Sequence, residues 1–427
     1  MLCHMGNIGE REMVKQYIFA LVMVIGCIGS VAAKEEKSPD WNGEALTGDW
    51  GGVRSNLYDE GIELGFTHKS DVLSNLSGGI KRGTAWMGNT EARVKMDLEK
   101  LLGWKSTTAY VQYHSQLGSK FNRDYVDSFV IVDNIEANNT AQFFQAWIQK
   151  GFYDESLSVL FGLYAIDSEF YVNDTSAVFT QTPYGMANDL GQSGMNAPPI
   201  FPVGALALRL KYTSQDKGFY AQYALTDGVP GDPNNPRGTH IQLNKGDGTL
   251  SIVELGLTPQ PDGADDGEYF NKTAFGYWRY STRFSDLDPL NPILHPSQGA
   301  YFLAERTLMN EKDHPEQGLA GFVRYGVASK DIHQSDWTGS IGLRYHGLIA
   351  GRDDDIAAIG ITVSHASPTF QRLNNSLSSE TSTEATYRIQ VNPWLAVQPT
   401  VQYVLHPNMN PARQNVWIAG ARVEISF

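Results

Sequence analysis

Hydrophobic and polar residues alternate along much of the chain, from about residue 62 to its end. In the clearest stretch one face is apolar and the other charged: Thr90, Ala92, Val94, Met96 and Leu98 oppose Glu91, Arg93, Lys95 and Asp97. The same period of two recurs in residues 206–213, 395–405 and 416–427. Because successive side chains of a strand point to opposite faces, this pattern predicts an all-β protein.

About sixteen such segments are predicted, most of them near the roughly nine to eleven residues that a tilted strand needs to cross a bilayer. They cover residues 62–73, 89–98, 107–117, 142–151, 157–165, 204–213, 218–226, 249–258, 270–281, 299–308, 318–329, 337–347, 356–366, 382–391, 395–405 and 416–427. Connections after odd-numbered strands are predicted to be long, and those after even-numbered strands to be short. Long loops at one end and short turns at the other favour a transmembrane antiparallel β-barrel, because a water-soluble sandwich has no reason to alternate in this way.

A membrane barrel turns its apolar face to lipid and its polar face to a wet lumen. The residues predicted to line the lumen are Glu91, Arg93, Lys95 and Asp97 on the second strand, with Arg209 and Lys211 on the sixth. Later strands add Arg279, Arg324, Arg344, Arg388 and Arg422, interspersed with Glu254, Glu384 and Glu424. Arginine supplies a fork of donors and carboxylates accept, a combination that suits neighbouring sugar hydroxyls. The alternative is a solvated wall without ligand specificity.

Aromatic residues near the strand ends are expected to form girdles at the two membrane–water interfaces. The candidates are Trp86, Trp104, Trp147, Phe152, Tyr153, Phe219, Tyr220, Trp278, Tyr301, Trp337, Trp394 and Trp417. Ordinary core aromatics would instead be scattered along the strands.

Residues 1–33 have the features of a secretory signal peptide. Basic residues precede an apolar run over 17–29, and small residues at 31–33 follow it. The run is shorter than the roughly 20 apolar residues of a membrane-spanning helix, so cleavage rather than anchoring is predicted. Lipoprotein-type cleavage at Cys27 is the alternative. Cys3 and Cys27 are the only cysteines, so the mature chain is expected to have neither disulfide nor thiolate chemistry.

The formal charge is −14, from 33 basic and 47 acidic residues. This charge disfavours nucleic acid as a partner, because phosphate binding needs a basic face. Much of the acidic excess lies in predicted connections, such as 262–266 and 353–355, so the lumen wall is expected to be mixed to mildly basic. The histidines lack the spacing of a zinc site and the acidic stretches that of a calcium loop. Neither a metal nor a cofactor is predicted.

The segment WNGEALTGDWGGVRSNLYDEGI, from Trp41 to Ile62, resembles the amino-terminal signature of the carbohydrate-selective (OprB-type) porins. The matching residues are Leu46, Thr47, Gly48, Asp49, Trp50, Gly51, Gly52, Arg54, Leu57, Gly61 and Ile62. The resemblance implies a barrel in the outer membrane of a Gram-negative bacterium that passes mono- or oligosaccharides by diffusion, usually as a homotrimer. Outer-membrane lipid, lipopolysaccharide and the barrel assembly machinery are the further partners that it implies.

The mature chain is expected to have a short amino-terminal segment ahead of its barrel. Residues 34–61 are predicted to lie on the periplasmic side of a barrel formed by residues 62–427. A short helix is predicted over residues 54–59, with Thr47 or Asp49 as its cap.

The longest predicted connection, residues 166–203, is the third of the long loops and the candidate constriction. General porins, which such a barrel resembles, fold their third external loop inward. The loop combines carboxylates with aromatic rings, and its candidate sugar contacts are Asp167, Glu169, Phe170 and Tyr171. A long loop without secondary structure is usually functional or disordered, and aromatic residues argue against disorder.

The sequence therefore predicts a sugar-selective porin, with a general non-specific porin or an outer-membrane barrel hydrolase as alternatives. Ser364 and His365 are neighbours in a predicted strand, so they point to opposite faces and could not pair. The chain also lacks a Gly-x-Ser-x-Gly nucleophile motif, so a channel without enzymatic activity is predicted. Phe427, which ends the last alternating strand, is predicted to carry the assembly signal.

Overall fold

The computed structural model describes residues 39–259, 269–312 and 314–427. The strands are β1 Ile62–Ser77, β2 Gly83–Asp97, β3 Thr107–Gly118, β4 Thr140–Phe152, β5 Leu157–Tyr164, β6 Ala205–Thr213, β7 Phe219–Asp227, β8 Thr249–Leu257, β9 Asn271–Ser285, β10 Leu294–Asn310, β11 Gly318–Ala328, β12 Ser335–His346, β13 Ile356–Ala366, β14 Ser379–Asn392, β15 Leu395–Leu405 and β16 Val416–Ser426. Each strand pairs with its neighbours in sequence, and β1 pairs antiparallel with β16, so the sheet is a closed barrel. The predicted sixteen-stranded antiparallel barrel is confirmed. The predicted signal peptide and the acidic stretch 262–266 lie outside the described residues.

Short helices lie at both ends of the barrel and inside one loop. They are α1 Trp41–Glu44, α2 Val53–Asp59, α3 Leu98–Leu102, α4 Asn188–Gly191 and α5 Pro368–Asn374. Within the described ranges, none of the helices is long and apolar enough to cross a membrane.

The connections agree with the predicted alternation of lengths only in part. The three longest, 119–139, 165–204 and 228–248, follow odd-numbered strands as predicted. The first connection is a short turn, 78–82, because β1 and β2 extend beyond the stretches in which apolar and polar residues alternate. In this extension Ser74 and Thr84 share a hydrogen bond of 2.7 Å on the outer face, while Ala85 and Met87 are buried inside, so the pattern of apolar outer and polar inner positions is lost there.

The two faces of the barrel are clearest in β9. Ala274, Trp278 and Tyr280 are buried inside, whereas the side chains between them are exposed outside. Arg279 is one of those exposed residues, so the prediction that it faces the lumen is wrong. Four aromatic residues assigned to the outer girdles also face inward: Trp147, Tyr220, Trp278 and Tyr301. These rings pack against the loop between β5 and β6, residues 165–204. Aromatic side chains are therefore used for packing inside the barrel as well as at the membrane interface.

Arg54 of α2 joins the amino-terminal segment to the barrel. Its guanidinium donates to the carbonyl oxygens of Leu64 at 3.0 Å and Phe427 at 2.9 Å. The same group lies 4.1 Å from the ring centre of Trp41 and 4.9 Å from that of Trp50. These contacts give Trp41, Trp50 and Arg54 a structural role at the end of the barrel where β1 begins and β16 ends.

Helix α2 follows the predicted one closely, since it begins one residue earlier and ends at the same residue. Asp49, one of the two predicted caps, accepts a hydrogen bond of 2.8 Å from the backbone nitrogen of Ser55. Gly61 follows the helix with a φ of 99°, a left-handed conformation that favours glycine.

Candidate translocation channel

The loop between β5 and β6, residues 165–204, folds into the barrel. Its aromatic and aliphatic side chains are almost completely buried: Phe170, Tyr171, Phe179, Tyr184 and Leu190. They form two clusters with inward-facing residues of the wall, including Trp278 and Phe322. Tyr171 stacks on Tyr301 of β10 with their ring centres 3.9 Å apart. The loop therefore narrows the lumen from within.

Three buried glutamates of the wall bind the backbone of this loop. Glu254 of β8 accepts from the nitrogen of Tyr171 at 2.8 Å, and Glu305 of β10 from the nitrogen of Thr175 at 2.9 Å. Glu384 of β14 accepts from the nitrogen of Thr180 at 2.9 Å and from that of Gln181 at 3.1 Å. Backbone N–H groups of an irregular buried segment need acceptors, and the carboxylates supply them.

Arg324 of β11 binds the opposite kind of group in the same loop. Its guanidinium donates to the carbonyl oxygens of Tyr171 at 2.8 Å, Pro183 at 3.0 Å and Gly185 at 2.8 Å, and also to that of Tyr184. A planar fork of donors suits several carbonyls at once. The wall thus binds loop N–H groups with anions and loop C=O groups with a cation.

A second loop, residues 119–139, also enters the barrel, which the sequence did not indicate beyond its length. Glu380 of β14 accepts hydrogen bonds from the backbone nitrogens of Phe129 at 2.8 Å and Val130 at 2.9 Å. The two loops touch where the nitrogen of Asn134 donates to the carbonyl of Thr180 at 2.7 Å. Two loops therefore enter the barrel, and each is hydrogen-bonded to residues of its wall and to the other loop.

The predicted sugar contacts within the loop have different environments. Phe170 and Tyr171 are fully buried, so their predicted contact with a solute in the lumen does not fit the packing. Asp167 accepts from the nitrogen of Phe201 at 2.8 Å, and burial raises its pKa to about 6. The two aromatic rings and the carboxylate of Asp167 therefore stabilise the conformation of the loop itself.

Glu169 links the loop to β6 through a cluster of charges. It accepts from Arg209 at 2.8 Å, Lys211 at 3.3 Å and the hydroxyl of Tyr164 at 2.7 Å. Burial alone would raise the pKa of Glu169, but the two cations outweigh it and hold that pKa below its ordinary value. Glu169, Arg209 and Lys211, which were predicted separately, lie together.

The four charged residues predicted to line the lumen from β2 have different partners. Glu91 accepts from Gln112 of β3 at 3.1 Å, and Arg93 donates to Thr67 of β1 at 2.9 Å. Lys95 lies 3.8 Å from Glu63 in an exposed pair. Asp97 ends the strand and caps α3 by accepting from the nitrogens of that helix, so it lies outside the stretch of wall that faces the two loops.

An aromatic pair on the same wall was missed by the sequence interpretation. Tyr110 of β3 and Trp147 of β4 stack with ring centres 5.1 Å apart. Both are only partly buried, and Trp147 borders the cluster formed by the inward loop. The pair is next to two amides, because Trp147 donates to Gln145 at 3.3 Å and Gln145 donates to Gln112 at 3.2 Å.

A β-bulge explains why Trp147 faces inward. Across β3 and β4 the register passes from Gln112 opposite Gln145 to Tyr113 opposite Phe143, so Phe144 has no partner. One extra residue in a strand reverses the facing of everything beyond it. The consecutive Phe143 and Phe144 are the sequence signal that could have revealed the bulge.

A closed sixteen-stranded barrel with an apolar exterior, a charged interior and loops folded into its lumen is the architecture of a porin. Residues 81–427 match the family model described as carbohydrate-selective porin, OprB family. This match spans most of the chain, so the chain belongs to the carbohydrate-selective porin family and is a porin of the outer membrane. The signature segment 41–62 precedes the matched range.

Individual relatives agree with this family over nearly their whole length. Porin B of Pseudomonas aeruginosa is 25% identical over 444 residues, which cover 94% of this chain and 95% of that protein. The putative porin QuiX of Acinetobacter baylyi is 23% identical over 425 residues, covering 90% and 93%. The high-pH structure of OprB from Pseudomonas putida has a TM-score of 0.80 at 21% identity, over 92% of this chain and 100% of that one. That structure has the same fold.

Proposed function

We propose that this porin selects mono- or oligosaccharides during passive diffusion, through contacts on the wall formed by β2, β3 and β4. The observation that carries the proposal is the stacked pair Tyr110 and Trp147 beside the amides of Gln112 and Gln145. A sugar presents a C–H face that packs on an aromatic ring and a rim of hydroxyls that donate and accept. Gln112 and Gln145 are themselves largely buried, so their amides hold Glu91 and Trp147 in place, and the half-buried rings with the charges beside them are the groups that match a sugar.

The charges beside the pair complete this surface. Glu91 is hydrogen-bonded to Gln112, and Arg93 is directed to a neutral hydroxyl. A surface that carries both positive and negative side chains suits a neutral polyol better than an ion, because the two charges offset each other while their donors and acceptors remain available. A permeation site must also release its solute, so several weak contacts are preferable to one strong contact.

Replacing Trp147 with alanine is expected to weaken sugar-induced block of the ion current by roughly two- to tenfold, the range given by the loss of one aromatic stacking contact. Conductance in salt alone should change little, because the loops remain in place. The measurement is current block against sugar concentration in planar bilayers. Trp86→Ala is the matched control, because Trp86 is exposed on the outer face and donates to Ser70.

Two outcomes would refute this assignment. Equal block in Trp147→Ala and the native protein would remove the aromatic pair from the sugar path. No measurable block by any sugar in the native protein would favour the general, non-specific porin instead.

We further infer that Phe427 serves as the assembly signal read by the barrel assembly machinery. Its nitrogen donates to the carbonyl of Phe66 at 2.9 Å, and its carbonyl accepts from Arg54. Deleting Phe427 should lower the heat-modifiable, membrane-embedded fraction of the protein. Arg54→Ala is the control, since it removes the local contact and keeps the terminal residue. Normal assembly of the deletion would contradict the inference.

The homotrimer implied by the family resemblance stays a prediction. The outer surface of β1 and β2 supports it. On the outer face of β1 and β2, His68 bonds Thr90 at 2.8 Å and Trp86 bonds Ser70 at 2.7 Å. Polar side chains are costly against lipid, so a second copy of the chain would be a more favourable neighbour there. Cross-linking in native membranes would give a trimer band if the prediction is correct and only monomer if it is wrong.

A further inference from the structure

A cavity of about 420 Å³ lies at the loop end of the barrel, outside the narrowed lumen. It is lined by both ends of the loop 119–139, by the turn 78–82 and by the loop 228–248. The middle of the first loop enters the barrel, where it binds Glu380. Because only the two ends of that loop line the cavity, the cavity lies at the rim of the barrel. Its volume lies within the range of roughly 300–1,000 Å³ that is typical of small-ligand sites.

Four cationic side chains line this cavity: Lys81, Lys120, Arg123 and Arg237. The one carboxylate in its lining, Asp124, is already bound by Arg123 at 2.7 Å. Such a concentration of positive charge is unusual in a chain whose net charge is −14. It therefore marks a local preference for anions that the composition of the whole chain hides.

Of the four cations, Lys120 is the one whose environment would be stabilised most by a bound anion. Its ammonium donates to Asn139 at 3.4 Å, a neutral partner. Burial lowers its pKa, against the opposing effect of Glu136, whose carboxylate accepts from the backbone nitrogen of Asn122. Lys81, which also lines the cavity, lies 4.7 Å from the ring centre of Tyr125. A dianion between these cations would relieve their repulsion and the cost of their partial desolvation.

The level of the cavity along the barrel places it next to the membrane surface. Leu117 and Phe143 are exposed on the outer face at the loop ends of β3 and β4. Gly118 and Ser119, which line the cavity, follow Leu117 directly, and the nitrogen of Ser119 donates to the carbonyl of Trp86 at 2.9 Å. Outward aromatic and aliphatic residues at strand ends mark the boundary between hydrocarbon and headgroups. The cavity begins immediately beyond that boundary.

We propose that this rim cavity binds a phosphate group on the headgroup of an outer-leaflet glycolipid. Lysine and arginine together supply charge and directed donors for phosphate oxygens. Basic pockets at headgroup level bind the headgroups of anionic lipids in this way. The same chemistry would admit a phosphate in solution, but the position beside the outward aromatic band favours the lipid. The proposal rests on the location of the barrel in the outer membrane and is independent of its sugar selectivity.

The test compares lipid retention by the full-length protein and by Lys120→Gln/Arg237→Gln. Detergent-purified protein is incubated with bisphosphorylated lipid A or with chemically dephosphorylated lipid A, and bound lipid is counted by native mass spectrometry. Native protein should retain the phosphorylated form, and the double variant should retain roughly tenfold less or lower still. Lys245→Gln/Lys330→Gln, which neutralises two exposed lysines at the same end of the barrel, is the matched control and should retain lipid normally.

A second measurement needs no variant, since phosphorylated lipid A should raise the thermal unfolding temperature of the native protein more than the dephosphorylated form does. Equal retention by native protein and Lys120→Gln/Arg237→Gln would overturn the proposal, as would equal retention of both lipids by the native protein. Binding of inorganic phosphate that depends on Lys120 and Arg237, without lipid A binding, would also overturn it by assigning the cavity to a soluble anion. Sugar-induced current block should be unchanged in the double variant, so this test can fail while the proposed function stands.

Discussion

Shortening the inward loop is expected to raise single-channel conductance severalfold and to weaken sugar-induced block at the same time. The change replaces residues 172–191 with two glycines, which removes Phe179, Tyr184 and Leu190 from the lumen. These side chains are almost completely buried between the loop and the wall, so their volume is lost from the constriction. A wider passage no longer holds a sugar against the wall, and block therefore weakens. Planar-bilayer recordings in salt, with and without sugar, measure both effects.

A matched deletion in another loop separates constriction from general damage. Replacing residues 241–246, which lie in the loop 228–248, with two glycines should leave conductance and block near native values. Native conductance and block in the first deletion would show that the inward loop does not limit the passage. Greater conductance with undiminished block would place the sugar contacts on the barrel wall alone.

Replacing Arg324 with alanine is expected to release the same loop without shortening it. Four buried carbonyl oxygens lose their donor, and hydrogen bonds to a charged group contribute about 1.5–3 kcal/mol each. These contributions are not additive, so a loss of about 3 kcal/mol or more in the stability of the loop is expected. The variant should show frequent conductance fluctuations and new protease cleavage within residues 166–203. Arg306→Ala is the control, because Arg306 is exposed on the outer face of β10.

The same variant should become more sensitive to alkaline pH through Asp189 of α4. Burial raises the pKa of Asp189 to about 7, although the nearby Arg324 opposes this shift. A folded-state pKa above the unfolded value of about 3.9 means that the folded state holds an extra proton between those values. Stability therefore falls as pH rises through this window, and losing Arg324 extends the window upward. Cleavage of Arg324→Ala that is independent of pH would contradict this linkage, and Arg324→Ala/Asp189→Asn should abolish the dependence.

The sequence by itself determined the barrel and the facing of most of its strands. Alternation with period two is a local property, since it depends only on which side of one strand meets lipid. That is why the charged face of β2 and the inward positions of Arg209 and Arg422 could be predicted from neighbouring residues alone. The short helix ahead of β1 was equally local, because Asp49 accepts from the nitrogen of Ser55 in its first turn and Gly61 follows its last turn.

The tertiary structure decided what the inward-facing residues do. Glu254, Glu384 and Arg324 were predicted as lumen charges, but they bind the backbone of inward loops. Such contacts join residues as distant as Thr180 and Glu384, and no local pattern encodes them. The bulge that turns Trp147 inward likewise depends on the partner strand, because a bulge exists only relative to the register of its neighbour. Periodicity in the sequence specifies which side chains of a strand face lipid and which face the lumen. The position of the inward loops is specified only by packing across the closed barrel. The reason is that a buried loop backbone needs hydrogen-bond acceptors and donors, and the barrel wall supplies them.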